Sequence, residues 1–257
     1  MKVSTNSRLN IQPASKQLAQ RLRTTAFFSI VCLSLSTPAF AAFETLNPGT
    51  GEVPGLPLGI GTGGITGIVI DAQDSLFNLS SDFQGVLRSM VVDTGLGYDF
   101  YYQVVNTGTD PGTGAEIFRM KTIGGFAGLS LSATYRTDLT GLDITNFPTG
   151  PAGGAGAYAV GTKSIHSADS DEGTLGSVGF DFSPSHFLLD PANIQPGQTS
   201  TIAVVRTNVS SYATVNADVS GNGTARVASF APVPEPQAAA MIALGVAVLA
   251  HRRTRRY

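Results

Sequence analysis

Leu129-Ser130-Leu131-Ser132-Ala133-Thr134-Tyr135-Arg136 puts an apolar or aromatic side chain at every odd position and a polar one at every even position. Period two is the repeat of an extended chain, whose successive side chains point to opposite faces of a sheet. The stretch therefore reads as a strand with one buried and one solvated face, the pattern of an antiparallel sheet. A second alternation sets Tyr98, Phe100, Tyr102 and Val104 against Asp99, Tyr101, Gln103 and Val105. Further strands are predicted over Gly67–Asp71, Val86–Asp93, Glu116–Ile123, Tyr158–Ile165, Ser177–Phe182, Ser200–Thr207, Tyr212–Val219 and Thr224–Phe230. Between them, Thr94-Gly95-Leu96-Gly97 and Ser220-Gly221-Asn222-Gly223 supply residues that tolerate positive φ in tight turns. About ten strands at this spacing predict an all-β chain with a single antiparallel β-sandwich, jelly-roll or Ig-like, over residues 65–231.

Residues 42–64 are dense in Gly and Pro and predict an extended lead-in ahead of the sandwich, and Asn146–Gly156 a longer loop. Although the chain carries a formal net charge of −2, residues 42–231 hold 17 acids and seven bases. So acidic a surface repels polyanions and excludes nucleic acid as a partner. The one cysteine, Cys32, lies within an apolar run near the start, so the region after it can form neither a disulfide nor a thiolate metal site.

That apolar run, Ala26–Leu35, follows five basic residues and precedes Thr37-Pro38 and the small-x-small site Ala39-Phe40-Ala41. The order is that of a secretory signal over residues 1–41, cut between Ala41 and Ala42, and it predicts Sec-type export machinery and signal peptidase as partners. Val31 before Cys32 argues against lipidation there.

At the other end, residues 232–257 combine a Val233-Pro234-Glu235-Pro236 motif, an apolar stretch over 238–250 and a basic tail over 251–257 containing Arg252, Arg253, Arg255 and Arg256. Prolines keep the motif extended and open to a processing enzyme. Arginines after an apolar helix stay on the cytoplasmic side and stop translocation. Thirteen helical residues span about 20 Å against roughly 30 Å of hydrocarbon, which suits a short transmembrane sorting helix better than a permanent anchor. The combination resembles the PEP-CTERM sorting signal, although Gln237 and Ala238 stand where an aromatic often follows the motif. The resemblance implies an exosortase-like processing enzyme, transient anchoring in the inner membrane, and delivery to the cell surface or an exopolysaccharide matrix. Residues 98–106, 178–182, 196–200 and 206–208 are similar to segments of domains attached to such tails, a likeness that implies no activity.

Other motifs point to chemistry less well. Gly59-Ile60-Gly61-Thr62-Gly63-Gly64 has dinucleotide-fingerprint spacing, but a Pro-rich segment precedes it and a strand pattern follows, where a strand and then a helix are required. Asp93-Thr94-Gly95 resembles an aspartic-protease triplet but occurs once, between two strands, as a hairpin would. His166, His186 and His251 show no metal-ligand spacing, and no G-x-S-x-G elbow exists, since Leu175 stands where Ser177 would need glycine. Asp169, Asp171 and Glu172 form an acidic run that reads as a solvated loop; they could offer oxygen ligands to a structural Ca²⁺, but the full calcium-loop pattern is absent. The expectation is a non-enzymatic structural or binding module with no cofactor. The alternative is a secreted carbohydrate-binding protein or glycan-active enzyme using Tyr98, Asp99, Tyr101 and Tyr102 on an exposed sheet face.

Overall fold

Strong β patterning closes into two sheets that share one core. A computed structural model describes residues 43–47, 53–54, 66–80, 82–109, 115–143, 158, 160–171, 176–184 and 191–233. The stretch read as a secretory signal, 1–41, the apolar stretch 238–250 and the basic tail lie outside them.

The seven-stranded sheet runs β1 (Glu44–Leu46), β7 (Leu131–Arg136), β11 (Ile202–Arg206), β5 (Tyr98–Asn106), β4 (Gln84–Asp93), β3 (Gly67–Asn78), β8 (Leu142–Asp143). The six-stranded sheet runs β13 (Gly223–Pro232), β12 (Tyr212–Gly221), β6 (Ile117–Ile123), β10 (Ser177–Asp181), β9 (Ser167–Asp171), β2 (Val53–Pro54). Every regular element among the described residues is a strand. The pairing is antiparallel except for β8, which lies parallel to β3 with Gly67 opposite Leu142, so the expectation of a wholly antiparallel fold is corrected at that edge.

Alternation fixes which side chains enter the core. On β5, Phe100, Tyr102 and Val104 point between the sheets, where they join Leu87 and Val91 of β4 and Met120, Val178, Phe180 and Val219 from the facing sheet. The other side of the same sheet is also covered. Met90, Val92, Tyr101, Ile202 and Val204 form a second, smaller cluster beneath Phe43, Leu139, Leu142 and Tyr158. Both faces of the central strands are therefore dry, and β5 is buried along nearly its whole length.

Several sequence expectations change. The lead-in is part of the fold: β1 pairs Glu44 with Ala133 and puts Leu46 into the core, while β2 pairs Val53 with Ala168 at the edge of the other sheet. Strand β3 continues to Asn78 rather than stopping at Asp71, because a bulge between Val69 and Asp71 resets the alternation. Residues 158–165 form no strand among those described, and only an isolated bridge from Lys163 to Ser200 remains. The stretch read as an acidic loop begins as strand β9. The Asp93–Gly97 turn is as expected: Gly95 N–H donates to Asp93 Oδ1 at 2.8 Å, and Gly95 and Gly97 hold φ of 76° and 146°, a region open to glycine.

Candidate functional site: the exit of the last strand and the outer sheet faces

Strand β13 is an edge strand, and it ends on a proline, which has no N–H to offer a further neighbour. Pro232 still pairs with Tyr212, so the fold extends past the expected boundary at Ala231. Val233, the first residue of the stretch read as a sorting motif, is held as well. Its N–H donates to the Ser211 carbonyl at 3.1 Å, and Ser211 Oγ donates back to the Val233 carbonyl at 2.7 Å. Around this exit, the Tyr212 ring meets Tyr98 and Phe230 edge-on at 5.8 and 5.5 Å, and its hydroxyl donates to Asp71 Oδ2 at 3.0 Å. Pro234, Glu235 and Pro236 lie outside the described residues, as do Arg252, Arg253, Arg255 and Arg256, and at the other terminus Ala39, Ala41 and Ala42. Phe43, directly after them, is described, and its ring lies 3.9 Å from the Arg206 guanidinium carbon.

Tyr98, Asp99, Tyr101 and Tyr102 do not form an exposed aromatic face. Asp99, Tyr101 and Tyr102 are buried, and only Tyr98 is partly open. Tyr102 crosses the core to donate to the Phe230 carbonyl at 2.7 Å. Asp99 takes a two-pronged contact from Arg206, with Nε at 3.0 Å and Nη2 at 2.8 Å. Burial pushes the Asp99 carboxyl above its ordinary range; Arg206, and then Arg136, pull it back in part. The Arg136 side chain is itself fully buried, with Tyr101 Oη 3.4 Å away and the Thr140 carbonyl accepting from its guanidinium. The alternation was legible, but a second cover over the outer face was not, because it comes from distant loop residues such as Phe43 and Tyr158.

These tyrosines yield an alkaline prediction. Burial raises the phenol pKa of Tyr101, Tyr102 and Tyr158, and burial followed by the bond to Asp71 raises Tyr212 to about 12. Folding therefore favours the neutral phenol, while an unfolded tyrosine ionises near 10. This stability is fully present below pH 10 and is lost as pH rises through the folded values, beginning between 10 and 12 for Tyr212. In a spectrophotometric titration of phenolate, Tyr101, Tyr102 and Tyr158 should ionise only together with loss of the β-type circular dichroism, and the partly buried Tyr212 only above pH 10. Titration of every tyrosine near pH 10 with the dichroism intact would contradict it.

The acidic run starts on a strand rather than in a solvated loop. On β9, Ala168 packs in the shared core while Asp169 and Asp171 project outward beside β10 and β6. Arg119 of β6 reaches over β10 to Asp169 at 2.6 Å and also bonds Asp181, whose carboxyl is fully buried. Gly179 makes the crossing possible, since a Cβ there would collide with both the Arg119 guanidinium and Asp169 Oδ1. Burial opposes the Arg119 cation, yet Asp181 and then Asp169 leave its pKa raised. Lys121 Nζ stands 3.5 Å from Asp171, and Arg226 pairs with Asp218 at 2.9 Å on the same sheet.

Glu172 lies outside the described residues, among which no three His, Cys, Asp or Glu side chains are grouped as metal ligands. His166 uses its backbone N–H on the Asp181 carbonyl at 2.7 Å; His186, His251 and Gly59–Gly64 lie outside the described residues. Arg119, Arg206, Ser211 and Tyr212 were missed by sequence reasoning. The glycine in Val178-Gly179-Phe180-Asp181 was the one local sign that a long side chain crosses there. No family model, no curated protein and no solved structure matches this chain.

Proposed function

We propose that this chain is an exported cell-surface or extracellular-matrix protein whose β-sandwich is a non-enzymatic structural or binding module, sorted by an exosortase-type enzyme acting on residues 233–236. The observation that carries the reading is the junction at Val233: folded strand passes into the Pro-Glu-Pro motif with no linker between them. A segment so joined is suited to removal as a unit while the sandwich stays whole. The non-enzymatic part is supported by Asp99 and Asp181, two buried carboxylates each engaged by an arginine. A glycan-directed alternative would need residues other than Asp99, Tyr101 and Tyr102, which are buried.

Processing tests the proposal. In a host with the sorting enzyme, the delivered protein should lack the peptide covering Ala238–Tyr257, and in one without it the tailed form should accumulate in the membrane. Glu235→Ala should reproduce the second pattern in the first host. Recovery of the intact tail peptide from surface-delivered protein would reject the sorting role, and selective retention on a glycan array would move the assignment to the carbohydrate-binding alternative.

A further inference from the structure

The exit of β13 fixes which part of the sandwich faces the membrane while the tail is still attached. Val233 is pinned to Ser211, and five residues later Ala238 opens the apolar stretch. Five residues reach at most about 18 Å even when fully extended. Headgroups occupy the first several ångströms outside the hydrocarbon, since the whole bilayer is about 40–45 Å thick around a 30 Å core. The end of the domain that holds Val233 therefore has little room to turn away.

That end can be traced through contacts. From Ser211 the chain leads back to Val209, whose carbonyl accepts the Tyr98 N–H at 2.8 Å. Gly97 lies so close to this segment that a Cβ would stand 2.5 Å from the Thr207 carbonyl and 3.0 Å from Asn208 Cα. The β4–β5 hairpin is thus packed beside the exit, and its tip residue Leu96 is 90% exposed. Ile68, opposite Asp93 at the foot of the same hairpin, is 47% exposed. Other exposed apolar residues include Leu76 at 80% and Leu79 at 56%, near the far end of β3. From Ile68 to Leu76 the strand advances eight steps, at most about 26 Å.

We propose that the Leu96 hairpin tip is the membrane-facing contact of the tail-bearing protein, resting on zwitterionic phospholipid headgroups. This rests on the tail reading given above. The acidic domain, with 17 acids against seven bases over residues 42–231, gains nothing from anionic lipid, so the tether and the apolar tip determine the contact.

The test uses the tail-bearing chain from a host that lacks the sorting enzyme, in which Cys32 has left with the signal, reconstituted in phosphatidylcholine vesicles. Leu96→Cys, Leu76→Cys and Leu244→Cys are each labelled with a fluorophore and exposed to phosphatidylcholine bearing a headgroup nitroxide or a shallow acyl-chain nitroxide. Positions 96 and 76 are exposed, so labelling leaves the core intact. Quenching is expected at 96 by the headgroup nitroxide and at 244 by the acyl-chain nitroxide, with none at 76. Quenching at 244 with 96 no greater than 76 would overturn the orientation and leave the tail reading standing. No quenching at 244 would overturn both. A parallel set of vesicles carries the sorting enzyme as well, and shielding of 96 only in that set would assign the tip to that protein and overturn the lipid contact.

Discussion

Arg119→Met should lower stability by about 3–5 kcal/mol, the cost of leaving a buried carboxylate without its cation. For a domain of this size that corresponds to a fall of roughly 6–20 °C in melting temperature. The size follows from geometry: the Asp181 side chain is fully buried, whereas Arg119 and Asp169 keep about a fifth of theirs exposed, so Asp181 is the group stranded by the loss. Adding Asp181→Asn to Arg119→Met should restore much of the lost stability by removing the orphaned charge. Gly179→Val should act in the same direction, because its side chain would occupy the crossing path of the guanidinium. Thermal melts of the four proteins check the scheme. A double variant no more stable than Arg119→Met alone would contradict the role assigned to Asp181.

Residues 65–231 alone should fail to give a cooperative unfolding transition, while 42–233 should melt as one unit. Cutting at 65 removes β1 and β2 from one edge of each sheet and takes Leu46, 2% exposed, out of the core. Losing a buried leucine down to alanine costs about 2–5 kcal/mol, against a total of only about 5–15 kcal/mol for a typical domain. The shorter fragment also strips Phe43 from Arg206 and cuts β13 before the Pro232–Val233 attachment to Ser211 and Tyr212. Denaturant titration followed by circular dichroism compares the two. Equal midpoints and slopes would show that the lead-in is dispensable.

The strands that were legible in sequence are those whose core-facing positions carry large apolar groups. Leu131, Ala133 and Tyr135 announce β7, and Val86 to Asp93 announces β4. Strand β9 was hidden because its inward residues are Ala168 and Ser170, too small and too polar to mark a face, while Asp169 and Asp171 dominate the composition. Strands β1 and β2 are three and two residues long, and their Gly/Pro-rich surroundings argue for irregular chain. Periodicity also says nothing about what lies on top of a face. The polar side of β5 looked available for a ligand, yet Asp99 meets Arg206 and Tyr101 lies beneath a lid of residues distant in sequence. The junction was half readable: the motif could be seen, but the two bonds between Val233 and Ser211 belong to tertiary structure.

The two short strands at the start also set an order of events at synthesis. Glu44 must wait for Ala133 and Val53 for Ala168 before either has a neighbour to pair with. At about 5–20 residues per second, that interval is on the order of ten seconds. Closing such wide loops brings no return until both ends have arrived, so the segment made first takes its seat late. Throughout that wait Leu46 and Phe43 have no core to enter, so the start of the fold is the last part of it to be covered.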